Sequence, residues 1–233
     1  MTKLFLFVLG PLIFAFFSGK AAISRNNQQL ARDSSVLTEP IIKALSSRMA
    51  SILDIKEIPI FVHEVRSFNG LATADGKIYL TRGALDSFYK GSVTGEELVS
   101  IIAHELGHVA LGHSKRRLID FSMQNAVRII LSLAISRLIP AVGAYIANLI
   151  SSALASKLSR KDEYEADAYA AALLSKSGIG TAPQISLLKK LNSLSEERAF
   201  FPQWFMSHPA PNERILAIEA LAKKWNKSNQ SEN

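Results

Sequence analysis

The sequence predicts an α+β domain, mostly helical with a small β-sheet. Three observations carry that prediction. Helical apolar spacing recurs in several separate segments, beginning with Ile41, Ile42, Leu45, Met49 and Ile52. One run, "IPIFVHEV" at 58–65, is dense in β-branched and aromatic residues and reads as a strand. Thr94 followed three positions later by Glu97 forms a capping box, which marks the start of a long amphipathic helix. A chain of 233 residues with 48% hydrophobic content suggests one domain, or one plus an extension, and can bury a core without a covalent staple.

The elements follow in order. Residues 1–21 have the layout of a signal peptide: Lys3, an apolar run from Leu4 to Phe17, then small residues with a cut expected after Ala21. Fourteen apolar residues fall short of the ~20 that span a bilayer, although an uncleaved anchor stays open as the alternative. Export to a bacterial periplasm or cell envelope, with membrane association as an option, is therefore expected. The chain has no cysteine, which excludes a lipid-modified anchor, thiolate metal ligands and disulfides.

Residues 22–34 read as a polar lead-in and 35–225 as the folded domain. Within it, a helix is expected over Val36 to Leu53, then the strand at 58–65. Two short strands joined by a turn at Asp75-Gly76 are expected inside 68–85. After the capped helix comes an apolar stretch, 129–156. The segment "SRKDEYEADAYAAALLSKSG" then predicts a helix ending at Gly178. Helices near 182–195 and 211–225 complete the domain, and 226–233 reads as a disordered tail. The net charge of +7 is spread along the chain with no basic block, so nucleic acid is not an expected partner. A mild attraction to anionic membrane surfaces is. No pattern specifies an oligomeric state.

The chemistry lies in "TGEELVSIIAHELGHVALGH", residues 94–113. Positions four apart on a helix stack on one face, so His104 and His108 can aim two imidazole nitrogens at one point. Glu105 sits one step round. Two neutral imidazoles suit Zn²⁺, and the neighbouring carboxylate can take a proton from metal-bound water. Chance would place H-E-x-x-H in a chain of this composition at about 0.6%, so the motif is informative. Leu98, Ile101 and Ile102 supply the buried face, and Gly107 is expected to leave room beside the metal.

A catalytic zinc needs a third protein ligand and an open position. His113 lies nine residues past His104, about 180° away on a continuous helix, and is expected at the surface or in a supporting contact. Glu163 and Asp167, four apart with Ala170 and Leu174 on the same side, form a better candidate. Burying such an acidic pair is costly unless something positive faces it. Glu163 is expected as the ligand and Asp167 as acceptor for a ligand histidine's N–H. Glu165, on the other side of the helix, is expected to be solvated; pairing of the acidic face with Arg160 and Lys161 is the rival.

Together, "HELGH" and "SRKDEYEAD" resemble the gluzincin metallopeptidases related to the CAAX prenyl endopeptidase, HtpX and BepA. "FNGLATADGKIYLTRGAL" is similar to that family's strand segment before the active-site helix, and "MSHPAPNERI" to its late Ser/Thr-His-Pro…Arg-Ile motif. The resemblance runs from about residue 35 to 222. It implies a zincin-type domain with one Zn²⁺ per chain on His104, His108 and Glu163, and Glu105 as base. It also implies His208 near the metal, steadying the tetrahedral intermediate or closing the open position at rest, and Arg214 structuring that loop. Asn69, Gly70, Leu71 and Ala72 correspond to the strand that would hold an extended substrate. Gly70 stands where the family usually has alanine, which leaves the placement of that edge strand open.

Protein or peptide substrates, unfolded or misfolded, are the implied partners; a chaperone-like binding module with a gated or silent site is the rival. A single membrane crossing within 129–156 would put His104 and Glu163 on opposite sides of a bilayer, and 28 residues are too few for two crossings. The stretch is expected instead as a helical hairpin turning near Pro140 to Gly143, packed on the domain or lying against a membrane surface, with contact to an envelope protein also open.

Overall fold

The computed structural model describes residues 24–25, 27–113, 116, 143–196, 208 and 211–231. Two compact units are present, one made of Ala31–Leu111 with Asp162–Asn233, the other of Met1–Leu30 with Gly112–Lys161. The first holds every element discussed below except the opening half of one helix.

The elements are β1 (Ser34–Val36), α1 (Pro40–Ile52), β2 (Ile60–His63), β3 (Gly70–Ala72), β4 (Ile78–Thr81), α2 (Arg82–Tyr89), α3 (Gly95–Ala110), α4 (Gly143–Lys176), α5 (Ala182–Glu196) and α6 (Pro211–Ser231). The fold is α+β and mostly helical, as expected. Its four-stranded sheet has the order β1-β2-β4-β3, with β2 and β4 parallel and both outer pairs antiparallel. Helix α3 packs against β3, β4, α1, α2 and α5 and is therefore the centre of this unit. Leu98, Ile101, Ile102 and Leu106 are buried there together with Ile78 and Leu80 from β4. Each such side chain contributes about 1.5–3 kcal/mol on burial.

The start of α3 is built as its sequence indicates. Thr94 Oγ1 accepts from the Glu97 N–H at 3.2 Å, and the Glu97 carboxylate accepts from the Thr94 N–H at 2.8 Å. Glu97 is buried, and its charge is met from α5 by Lys190 Nζ at 2.8 Å and the Ser186 hydroxyl at 2.7 Å. This cap fixes both the start of the helix and the face it turns to α5.

The crossing of α3 and α4 sets the rest. A Cβ built on Gly107 would lie 2.9 Å from both Cα and the carbonyl oxygen of Ala166, so the two backbones touch at that point. Gly107 was expected to make room beside a metal; its space is instead filled by the partner helix. Touching there places His104 and His108 opposite Glu163 and Asp167, which flank Ala166.

Other boundaries differ from the expectations for physical reasons. Helix α1 starts at Pro40, capped by Glu39, rather than at Val36. Residues 34–36, assigned partly to the lead-in and partly to a helix, pair with β2 through Ser34↔His63 to Val36↔Phe61. A three-residue strand that depends on a distant partner leaves little periodicity to read. Residues 27–32 of the lead-in are helical. Helix α2, whose first residues fall in the 68–85 segment expected to hold two short strands, was not expected; its signal is Thr81, whose hydroxyl accepts the Ala84 N–H as an N-cap. The helix carrying Glu163 is not separate from the residues before it, because α4 runs unbroken from Gly143. Of the expected hairpin, 129–142 lies outside the described residues, as does the 1–21 segment. Helix α6 continues to Ser231, so 226–231 is helical and not a disordered tail. Among the described residues, no helix is long and apolar enough to cross a membrane.

Gly107→Ala tests the contact. The added methyl must separate α3 from α4, with a cost of about 1–3 kcal/mol. Thermal melting should fall by several degrees, and bound metal should fall with it; an unchanged melting temperature would show that the crossing tolerates a side chain.

Candidate metal centre

His104, Glu105 and His108 lie on α3, Glu163 and Asp167 on α4, and Arg214 in the first turns of α6, with His208 just ahead of that helix. All seven are buried, from 1% exposed for Glu163 to 5% for His108 and His208. So many ionisable side chains gathered out of water must neutralise one another or a bound ion.

The donor atoms converge. His104 Nε2 and His108 Nε2 are 3.1 Å apart, and Glu163 Oε2 and Oε1 lie 3.3 and 3.4 Å from them respectively. His208 Nδ1 approaches Glu163 Oε2 at 2.7 Å and His104 Nε2 at 3.4 Å. One ligand atom from each of His104, His108, Glu163 and His208 falls within a mutual 4.8 Å. For tetrahedral zinc with bonds near 2.05 Å, neighbouring donors should lie roughly 3.3 Å apart. The donor set fits that geometry and chemistry.

The tautomers support the same reading. His104 Nδ1 is 2.9 Å from Asp167 Oδ1, and an ionised carboxylate can only accept, so Nδ1 carries a proton. In the neutral ring this leaves the Nε2 lone pair aimed at the cluster centre. Asp167 is held in turn by Arg214, through Nε to Oδ2 at 2.6 Å and Nη2 to Oδ1 at 2.8 Å, a bidentate pair. Gln184 Nε2 adds bonds to the Asp167 carbonyl and Oδ1, each 3.3 Å. Carboxylates behind ligand histidines set their orientation and basicity.

Charge gives an independent test. Glu105, Glu163 and Asp167 are three buried carboxylates facing one buried guanidinium, Arg214, so the cluster is short of two positive charges before its histidines are considered. One divalent cation meets that deficit. Without it, protons do part of the work. Burial alone pushes His104 down, but Asp167 and Glu163 overcome it and raise its pKa to about 9. Burial also works to raise Glu163 and Asp167, yet the histidines around Glu163 and the guanidinium beside Asp167 hold both well below the usual carboxylate range. Burial pushes His108 below its ordinary value despite its bond to Glu163.

Glu105 faces the same centre without joining the four donors. Its Oε1 is 3.4 Å from His208 Nε2 but makes no hydrogen bond. Burial would raise this carboxyl; His208, with the charges of His104 and His108, holds it below the ordinary value and hence ionised. His208 thus lies between Glu105 and Glu163, one ring nitrogen toward each.

The remaining predicted residues fall as follows. The strand begins at Gly70, so Asn69 precedes it; Asn69 Oδ1 accepts the Gly70 N–H at 3.0 Å, and its backbone bonds to Thr81 on β4. Gly70 lies against α3, its absent Cβ only 3.7 Å from Glu105 Cγ. Leu71 and Ala72 are half-buried. His113 is completely buried, not at the surface, and is not among the four converging donors. Glu165 is partly buried, and Glu163 is not on a solvated acidic face. Gln184 and the Glu97–Lys190 pair were missed. A signal existed for Gln184: it opens the buried stripe Gln184, Leu187, Leu188, Leu191, a polar residue at an apolar position of a helix.

The raised His104 value has a measurable consequence for the metal-free protein. A group whose folded pKa lies above its unfolded value near 6.5 stabilises fully below 6.5 and loses that contribution as pH rises through about 9. Asp167 works oppositely, stabilising above its ordinary value and losing its effect in acid. Chelator-treated protein should therefore melt at progressively lower temperature as pH is raised from 6.5 through 9. A flat profile over that window would deny the carboxylates their hold on His104.

Comparison with known proteins agrees with this geometry. Residues 37–222 match peptidase family M48. The chain is 29% identical over 199 residues to metalloprotease LoiP of Escherichia coli, across 85% of this chain and 73% of that protein. It is 30% identical over 157 residues to metalloprotease YcaL of the same organism, covering 67% of this chain and 59% of YcaL. With a protease HtpX homolog from Fusobacterium nucleatum it shares 25% identity over 268 aligned positions, 96% of this chain and 84% of that protein. A capped helix bearing His104, Glu105 and His108, crossed by a second helix bearing Glu163, belongs to a member of peptidase family M48, a metallopeptidase.

Proposed function

We propose that the protein is a zinc endopeptidase acting on unfolded or misfolded proteins of the cell envelope. One observation carries the reading: two imidazoles and a carboxylate converge at 3.1–3.4 Å with an ionised Glu105 beside them. His104, His108 and Glu163 are the ligands of a single Zn²⁺. When bound, zinc supplies Lewis acidity, polarising the substrate carbonyl and bringing the pKa of a water to ≈ 7.

The chain's own residues do the rest. Glu105 accepts the proton of the attacking water at a carboxylate oxygen and delivers it to the amide nitrogen as the peptide bond breaks. Asp167, clamped by Arg214, keeps the His104 ring turned so that Nε2 faces the ion. The edge of β3 pairs with an extended substrate through backbone hydrogen bonds, which selects flexible chains over folded ones. Relatives named metalloproteases and a protease support proteolysis for this chain. A leader at residues 1–21 and the apolar 129–156 stretch would place the domain in the periplasm or envelope, against a membrane surface or an envelope protein.

The position of His208 favours a second aspect of the same reading. With Nδ1 among the donors and Nε2 turned to Glu105, this side chain fills the space that water and substrate need. The resting site is closed, and substrate must displace His208 before hydrolysis. A binding module with a permanently silent site would keep the same arrangement.

Two variants separate these readings. Glu105→Gln should retain stoichiometric zinc and lose casein hydrolysis by about a hundredfold or more, the scale of a general base's contribution. Wild-type cleavage by that variant would remove Glu105 from the mechanism. His208→Ala should increase hydrolysis if the ring gates the site, whereas a silent binding module gains nothing.

A further inference from the structure

Gly70 of β3 lies against the turn of α3 between Ile101 and Glu105. A Cβ at this position would lie 2.3 Å from Ile101 Cγ2, far inside an ordinary contact of about 3.5–4.0 Å. Ile101 is 1% exposed, and a β-branched side chain in a helix is held in one χ1 rotamer, so its Cγ2 cannot swing aside. The strand rests directly on the helix.

The strand's pairing shows what this depth controls. The Thr81 N–H bonds to the Asn69 carbonyl at 3.0 Å and the Thr73 N–H to the Lys77 carbonyl at 3.0 Å, with Leu71 opposite Tyr79 between them. Hydrogen-bonded and open pairs alternate along an antiparallel ladder, so Gly70 and Ala72 turn their backbone groups away from β4. The Gly70 N–H is taken by Asn69 Oδ1 at 3.0 Å. The Gly70 carbonyl and the Ala72 N–H and carbonyl are the groups left to face an added strand. They belong to the same short segment whose position α3 fixes, where a Cβ on Gly70 would lie 3.7 Å from Glu105 Cγ.

We infer that Gly70 is a positioning residue: the missing side chain, matched to Ile101, sets how deeply the β3 edge and any peptide paired with it lie over Glu105. The inference rests on the reading of β3 as the substrate strand. It also gives a physical partner to the glycine that stands in place of the expected alanine. A methyl group at position 70 lifts the strand by roughly 1.2–1.7 Å, the distance needed to restore normal contact with Ile101. Misplacement on that scale costs up to about a hundredfold in rate. Because docking survives while alignment with the base does not, the loss falls on kcat more than on KM. Ile101→Leu moves the branch from Cβ to Cγ and removes the clashing atom while keeping the volume.

The test is a double-mutant cycle on zinc-loaded protein with an extended, unstructured peptide. Gly70→Ala should lower kcat about tenfold to a hundredfold with zinc content unchanged and KM within about threefold. Ile101→Leu alone should stay near wild type, and Gly70→Ala combined with Ile101→Leu should recover most of kcat. Wild-type kcat in Gly70→Ala overturns the proposal, as does a folded, zinc-loaded double variant that remains impaired. Should Gly70→Ala alone not fold, the double variant decides: active supports the size match, folded and inactive refutes it. Wild-type protein that holds zinc and cleaves no peptide refutes the peptidase reading itself, before Gly70 is altered.

Discussion

The fold is organised around a backbone contact without side chains at its point of closest approach. Gly107 on α3 meets the main chain of Ala166 on α4, and each helix carries its functional pair on either side of that contact. One helix supplies two imidazoles four residues apart; the other supplies two carboxylates at the same interval. Opposed in this way, the pairs make a buried cluster whose charges do not balance among the carboxylates and Arg214 alone. A divalent ion held there would relieve this electrostatic strain in the core, so that binding it would also favour folding.

The support of the cluster is layered. Glu97 joins the cap of α3 to Lys190 and Ser186 on α5, and Gln184, from the first turn of α5, bonds to Asp167. Arg214 reaches the same Asp167 from α6. Two helices thus hold one carboxylate, and that carboxylate holds the His104 ring. His208 stands differently: it bonds to Glu163 through one nitrogen and faces Glu105 through the other, so its movement would change the donor set and free the base together.

Much of this was legible in the sequence where local spacing carries the information. The i, i+4 pairs announce a shared face without any tertiary knowledge, and the Thr94–Glu97 box places the helix start to the residue. His208 and Arg214 have no such spacing to the rest of the site; only their resemblance to a family motif brought them forward. Gln184 was missed because a single polar residue on an apolar stripe is a weak signal. Gly107 was noticed but misread, since a glycine near a metal motif looks like space for the metal until the partner backbone is seen to fill it. Strand β1 and helix α2 escaped for the opposite reason. Each is short and defined by what it pairs with or is capped by, not by its own periodicity.

If α3 and α4 deliver their side chains to one shared cation, zinc affinity must depend on the single carboxylate of Glu163. Competition titration with a chromophoric chelator, comparing wild type with Glu163→Gln, reads that contribution. One tightly held zinc per wild-type chain is expected, with an affinity at least about a hundredfold lower in the variant and helical content preserved. Equal affinity in the two proteins would mean that Glu163 is not a ligand, and the convergence described here would not be a metal site.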